Sequence, residues 1–158
     1  IEVVWSQYLD ENFEHSHYLV GSDTSMVSMG GCSVKRPDKI YSIPEMNGNE
    51  AFCLVCECDE RQHSDQNGSY KCEQARMDEL FDSMDGIGRA VFIRWNPDSY
   101  KPIDGGSKAC REERLERMVE VMEAVVVSPP NEVIFVYYMY YDRDNPQITT
   151  DLPFEHVC

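Results

Sequence analysis

Three carboxylates from two places in the chain could together bind a metal ion. Glu57 and Asp59 end an apolar run over residues 51–59, and the alternation of side chains along a strand would place both on one face. Two carboxylates at the end of a buried strand repel each other unless a cation or hydrogen-bond donors lie between them. Asp38 follows Pro37, and a neighbouring strand could bring it beside Glu57. Hard divalent ions such as Mg²⁺ or Mn²⁺ prefer these oxygen ligands and can position and polarise a phosphodiester.

Further polar side chains lie close to these acids in the sequence or in the expected sheet. His63 could act as a general acid or base because imidazole titrates near neutral pH, and Gln62 could orient water or contact a phosphate. Arg94 ends the next expected strand and could hold a phosphate with its planar guanidinium, as could Arg76 from a helix. The alternatives are an ordinary surface position for His63 and structural ion pairs for the two arginines.

The elements that would position these residues alternate as in an α/β domain. Helical spacing of apolar residues predicts helices over residues 1–13, 71–84 and 111–127. Apolar runs predict strands within 34–43, where Pro37 interrupts the pattern, and over 51–59, 90–95 and 132–141. Composition predicts a turn over 44–50, whereas 14–37 are mixed and the tail from Asp142 is irregular.

Strand 51–59, helix 71–84 and strand 90–95 predict a βαβ unit with two parallel strands and a right-handed crossover. The carboxyl end of strand 51–59 would then face the sheet edge at which open α/β folds usually place their sites. The polar segment after strand 90–95, Asn96 to Tyr100, is expected to be a turn that ends the strand.

The spacing of these residues resembles a known nuclease signature. Pro37-Asp38, followed by Glu57-x-Asp59, resembles the PD-(D/E)XK pattern. The wider pattern is similar to the very-short-patch-repair-like branch of that superfamily, especially its virus- and alga-type domains. The residues that carry this similarity are Glu57, Asp59, Glu60, Gln62, His63, Cys72, Glu73, Arg76 and the segment from Phe92 to Tyr100. The resemblance covers residues 35–100, and it covers the first helix and the last helix and strand more loosely.

The resemblance implies a restriction-endonuclease-like fold, with a mixed central sheet of about four strands flanked by helices. It implies a nuclease that hydrolyses phosphodiester bonds in DNA and depends on Mg²⁺ or Mn²⁺. Asp38 and Glu57 would be metal ligands, and Glu2 would match an acid that some members place on the first helix.

One position departs from the family pattern. Asp59 stands where the family has a lysine that helps to activate water and stabilise charge. His63 or Gln62 could take over that role, with Asp59 as a further metal ligand. The departure leaves open an inactive nuclease-fold module that binds nucleic acid or a protein partner.

Composition narrows the class of protein further. The 158 residues suit one domain, and no repeat or linker divides them, so we expect a single domain over 1–158. The net charge of −15 argues against broad adhesion to nucleic acid, although a metal site itself gathers carboxylates. No stretch approaches the roughly 18 apolar residues of a membrane helix. The odd number of cysteines favours a reducing compartment. We therefore expect an intracellular protein, cytoplasmic or nuclear, and additional domains could lie outside this sequence.

Cysteine and net charge each suggest an alternative function. Soft thiolates favour zinc, but alternation would place Cys53 on one face of its strand and Cys56 and Cys58 on the other. The paired CxxC spacing of zinc knuckles is also absent. The net charge alone motivates a last alternative, an acidic mimic that binds a nucleic-acid-binding protein.

Overall fold

A mixed sheet of six strands forms the centre of the part of the chain that the structure describes. The computed structural model describes residues 1–22, 37–60, 70–84, 86–102, 106–142, 145, 148 and 151–158, with the backbone alone for 70–73. The strands are β1 (Leu19–Ser22), β2 (Lys39–Ile43), β3 (Phe52–Cys58), β4 (Ala90–Trp95), β5 (Ile134–Met139) and β6 (Phe154–Val157). The helices are α1 (Glu2–Asn12), α2 (Tyr70–Asp82) and α3 (Arg111–Val127), with a short 3₁₀ turn over Ser16–Tyr18.

The strands follow one another across the sheet in chain order. β1, β2 and β3 are antiparallel neighbours, and β3 to β6 run parallel. This arrangement confirms the α/β class, the mixed sheet and the parallel pairing of the predicted βαβ unit. Among the described helices, none combines the length and the apolarity that crossing a bilayer requires.

Two strands were not expected from the sequence, and they raise the count from about four to six. β1 lies within the segment expected to be mixed, and β6 within the tail expected to be irregular. Each has four residues and forms an edge of the sheet. β1 alternates between half-buried and exposed positions, and β6 has one fully buried residue. Their pairing with β2 and β5 therefore stabilises them more than an apolar pattern of their own.

The bounds of the expected elements are close to those observed. β4 and α3 agree at both ends with the predicted 90–95 and 111–127, whereas β5 is shorter than the predicted 132–141. The turn over 44–50 is confirmed. Met46 and Asn49 exchange two backbone hydrogen bonds around Asn47 and Gly48. Both central residues have positive φ, 53° and 78°, as a tight hairpin turn of the mirror-image type requires.

Helices cover both faces of the sheet and create two apolar cores. α1 and α3 pack on one face and α2 packs on the other. The core beneath α1 and α3 includes Trp5, Leu9, Leu54, Ile93, Met118 and Met122. The core beneath α2 includes Val55, Met77, Leu80, Phe92 and Tyr138. Because β3 and β4 are covered on both faces, nearly all their residues are buried, which explains their continuous apolar sequence.

The turn after β4 is fixed by a buried arginine of α3. Arg114 donates hydrogen bonds to the carbonyl oxygens of Asn96 (3.0 Å), Pro97 (2.9 Å) and Asp98 (2.9 Å). The Asn96 side chain accepts the N–H of Asp98 and donates to the carbonyl of Tyr140, at 2.9 and 2.7 Å. This expected strand-ending turn is thus also a tether between β4, α3 and the end of β5.

Replacing Arg114 by lysine should destabilise the fold. Lysine cannot reproduce a planar fork that bonds three carbonyl groups at once. We expect the free energy of unfolding in urea to fall by about 2–4 kcal/mol. Arg117→Lys is the matched control, since Arg117 is exposed on the same helix and pairs with the exposed Glu120. We expect this substitution to change the free energy of unfolding by less than about 0.5 kcal/mol. Equal effects would contradict the tether.

Candidate functional site

Two of the acids singled out from the sequence meet a buried arginine at the carboxyl end of the parallel strands. Glu57 of β3 and Arg94 of β4 are paired in register. Asp59 lies just beyond β3, and its N–H donates to the carbonyl of Trp95 at 2.8 Å. The Nε atom of Arg94 lies 2.6 Å from Asp59 Oδ2 and 3.5 Å from Glu57 Oε2. The two carboxylates therefore lie on one side of the strand, as alternation predicts.

All three of these charged residues are almost completely buried. The exposed fractions of Glu57, Asp59 and Arg94 are 4%, 1% and 0%. Burial of a charge costs several kcal/mol unless it is paired and hydrogen-bonded. The Tyr141 hydroxyl supplies one further bond, to Asp59 Oδ2. Burial and the neighbouring Asp59 charge raise the pKa of Tyr141 well above its usual value, so this hydroxyl keeps its proton and remains a donor.

A second arginine contacts Glu57 from helix α2. Arg76 of α2 contacts both carboxylate oxygens of Glu57, with Nη2 2.8 Å from Oε1 and Nη1 3.4 Å from Oε2. This paired geometry is the strong form of an arginine–carboxylate contact. The side chain of Arg76 is 25% exposed. Glu57 thus lies between two guanidinium groups, one buried and one that reaches the surface.

The charged side chains that shift the pKa of Asp38 are all acids among the described residues. Asp38 directly precedes β2, and its Oδ2 accepts the N–H of Cys58 at 2.6 Å. Burial raises the pKa of Asp38 to about 7. The Cys58 hydrogen bond opposes this rise, and the negative charges of Glu57, Glu2 and Asp59 add to it. A cation beside Asp38 would relieve both the burial cost and the repulsion.

The chemistry of the donors fits a hard divalent ion, but the carboxylates do not converge as a closed set. Among the described residues, Asp38, Glu57 and Asp59 are not a group whose ligand atoms lie within 4.8 Å of one another. Asp59 is held by Arg94 and Tyr141, as described above. Glu57 likewise already contacts Arg76 and Arg94. Asp38 is therefore the acid of the three most open to an ion, and Glu57 and Glu2 lie close enough to influence its pKa.

The other predicted site residues have different outcomes. Gln62 and His63 lie outside the described residues, so their catalytic roles stay predictions. Arg94 has no exposed surface with which to contact a phosphate from this position, and it instead makes the ion pairs named as its alternative. Arg76 also makes an ion pair, but its exposed part leaves a phosphate contact open.

The sequence interpretation missed Tyr141, because the regular alternation of β5 does not continue to this residue. Tyr138 and Tyr141 face the core beneath α2, whereas Met139 and Tyr140 both face the other core. Tyr140 has φ of 62°, a conformation that L residues rarely adopt. This local reversal turns Tyr141 towards Asp59. The sequence did show an aromatic residue, Tyr141, at the end of the last predicted strand. It did not show on which face of the sheet that side chain lies.

The cysteines of β3 have the predicted alternation. Cys53 lies in the core beneath α2, and Cys56 and Cys58 lie on the opposite side. Burial raises the pKa of Cys53 to about 11 and that of the other two further still. All three therefore remain protonated thiols near neutral pH when no metal is bound.

Comparison with known proteins adds no identification, since the chain matches no protein-family model, no curated protein and no solved structure. The geometry of the site and the short motifs are therefore the basis for a functional proposal.

Replacing Tyr141 by phenylalanine should weaken the buried network. The change removes only the hydroxyl that donates to Asp59, and hydrogen bonds to charged groups contribute about 1.5–3 kcal/mol. We expect a loss of that size in the free energy of unfolding, measured in urea. Tyr137→Phe, on β5 and half-buried, should cost about 0.5 kcal/mol or less. A Tyr141→Phe variant as stable as the wild type would contradict the role of the hydroxyl.

The raised pKa of Asp38 should make the metal-free fold less stable as the pH rises from about 4 to 7. The folded state keeps this proton up to about pH 7, whereas the unfolded chain releases it near 3.8. The folded state thus binds more protons between these values, and the Asp38 contribution to stability falls as the pH rises. Relative to Asp38→Asn, the wild type should lose about 2–3 kcal/mol between pH 5 and pH 8, measured by urea unfolding with a chelator. A pH-independent difference between the two proteins would refute the shift.

Proposed function

We propose that this protein is a nuclease that depends on a divalent metal, hydrolyses phosphodiester bonds in DNA, and has its site at Asp38 and Glu57. The observation that carries the proposal is the environment of Asp38, a partly buried carboxyl beside further acids at the carboxyl edge of the sheet. Open α/β folds usually place their sites at this edge. A carboxylate surplus at a partly buried position is costly without a cation, and this cost supports a metal function.

The order of the elements supports the same proposal. The sequence resemblance implies a mixed four-stranded sheet flanked by helices, and α1, β1 to β3, α2 and β4 have that composition. Asp38 precedes β2 and Glu57 lies near the end of β3, and these two strands are antiparallel neighbours. Both halves of the motif therefore lie at one end of adjacent strands.

Each residue of the proposed site would have a separate role. Asp38 and Glu57 would hold Mg²⁺ or Mn²⁺, with Glu2 nearby. The bound ion would supply Lewis-acid polarisation of the phosphate and an acidified water. Arg76 keeps Glu57 oriented with its paired contact, and its exposed part could meet a phosphate. His63 and Gln62 remain the proposed acid–base and water- or phosphate-contacting groups.

The aspartate at the lysine position has a specific role in this proposal. The guanidinium of Arg94, on the neighbouring strand, supplies positive charge here. Its Nε atom lies 2.6 Å from Asp59 and 3.5 Å from Glu57. Asp59 would then anchor Arg94, and Arg94 would place fixed positive charge next to Glu57. To ligate a metal, Asp59 would have to give up a bond from Arg94 or Tyr141, and Glu57 would have to share its oxygens with Arg76 and Arg94.

A second candidate function is a nuclease-fold module that binds nucleic acid or protein without cutting. The arginine contacts favour it, since Arg76 and Arg94 together compensate Glu57 and Asp59 without any metal. The net charge of −15 favours a protein partner over bare nucleic acid.

Cleavage of plasmid and of single-stranded, duplex and branched oligonucleotides with Mg²⁺ or Mn²⁺ tests the proposal. The wild type should cut, and Asp38→Asn and Glu57→Gln should each reduce the rate by about 100-fold or more, because even changes behind the ligands cost about 10–100-fold. Glu50→Gln is the matched control. Glu50 is an exposed acid at the opposite end of β3, and its replacement should leave the rate unchanged.

The outcomes separate the two candidates. If no substrate is cut with either ion, the nuclease proposal is wrong. In that case, binding of uncut DNA or of a protein partner by the wild-type protein would support the binding module. Cleavage that survives both substitutions would place any nuclease activity elsewhere.

A further inference from the structure

A second group of potential metal ligands lies away from the sheet edge, where the segment after α1 meets α3. Among the described residues, Glu14, His15 and Glu123 bring three ligand atoms within 4.8 Å of one another. Glu14 and Glu123 are 109 positions apart in the sequence, so packing of α3 beside this segment creates the group. It combines an imidazole nitrogen with two carboxylates, unlike the acids of the sheet edge.

The distance between the ligand atoms of His15 and Glu123 suits a small ion. Glu123 Oε1 accepts the N–H of Glu14 at 2.8 Å, which fixes this carboxylate. Its Oε2 lies 3.4 Å from His15 Nε2. That distance is longer than the usual N–H···O separation of about 2.9–3.0 Å. It equals the roughly 3.4 Å between two ligands of a tetrahedral ion with bonds of about 2.0–2.2 Å.

The imidazole is held in place before any ion binds. The His15 ring stacks on Tyr18, with 6.1 Å between centroids and 13° between planes, and meets the edge of Phe13 at 5.7 Å. Only 15% of the His15 side chain is exposed. Since the ring has little freedom to lose, binding would require little ordering at this ligand.

We propose that Glu14, His15 and Glu123 bind a divalent transition-metal ion of the zinc class, with water completing the coordination. An imidazole with carboxylates suits zinc, whereas Mg²⁺ prefers oxygen ligands alone. The site joins the segment after α1 to the carboxyl half of α3, so a bound ion stabilises the packing of these two elements. This inference is independent of the nuclease proposal.

Calorimetric titration with Zn²⁺ tests the site directly. His15→Ala and Glu123→Gln should each lower the affinity for one equivalent of Zn²⁺ by at least about 10–100-fold. Losing a residue that only supports a metal ligand already lowers metal affinity by that range. His17→Ala is the matched control. His17 is an exposed histidine two residues further along, outside the group, and its replacement should bind Zn²⁺ as the wild type does. Glu57→Gln should also leave this equivalent intact.

Co²⁺ absorption identifies the ligands in the same proteins. Nitrogen and oxygen ligation should give visible bands without a thiolate charge-transfer band, and His15→Ala should remove those bands. Glu123→Gln keeps an oxygen that can accept the Glu14 N–H, so it should fold even if His15→Ala does not, which circular dichroism without metal will show. Unchanged Zn²⁺ binding in a folded Glu123→Gln variant, or a dominant thiolate band, would overturn the site.

Discussion

A guanidinium group with no exposed surface lies where the parallel strands β3, β4 and β5 end. Such a charge is tolerated inside a protein only when counter-charges and hydrogen bonds replace the lost water. Here Asp59 and Glu57 provide the charges, and Tyr141 completes the bonding of Asp59. Because these partners come from different strands, the network keeps three strand ends in a fixed arrangement. The irregular backbone at Tyr140 brings the Tyr141 hydroxyl to this network.

The network also determines which acid at this edge is most open to a cation. Arg76 and Arg94 compensate Glu57 and Asp59, whereas the charges that act on Asp38 at this edge are those of neighbouring acids. Burial is the main cause of the raised pKa of Asp38, and the neighbouring negative charges add to it. A substrate phosphate alone would add negative charge, whereas a divalent cation would offset these charges. The physical case for a metal at this edge therefore depends on Asp38 more than on the number of nearby acids.

The long, strongly patterned elements could be predicted from the sequence, and so could the edge at which the acids meet. β4 and α3 are predictable because continuous burial and helical periodicity leave an unambiguous pattern. β1 and β6 are not, since short edge strands are stabilised mainly by their partners. The contact of Tyr141 with Asp59 depends on the positive φ of Tyr140, which no residue-type preference indicates. The choice of Asp59 as the partner of Arg94 requires the register of β3 and β4. The metal, the DNA substrate and the roles of Gln62 and His63 stay predictions.

A crystal structure with Mn²⁺, recorded at a wavelength that gives anomalous scattering from manganese, would test the central claim most directly. The account predicts an anomalous peak about 2.0–2.3 Å from carboxylate oxygens of both Asp38 and Glu57, with Arg94 still bonded to Asp59. An occupied manganese position elsewhere and none at these two acids would contradict it. Arg76 and Arg94 would then be the only counter-charges that this edge uses among the described residues, and the fold would serve binding instead of metal-dependent cleavage.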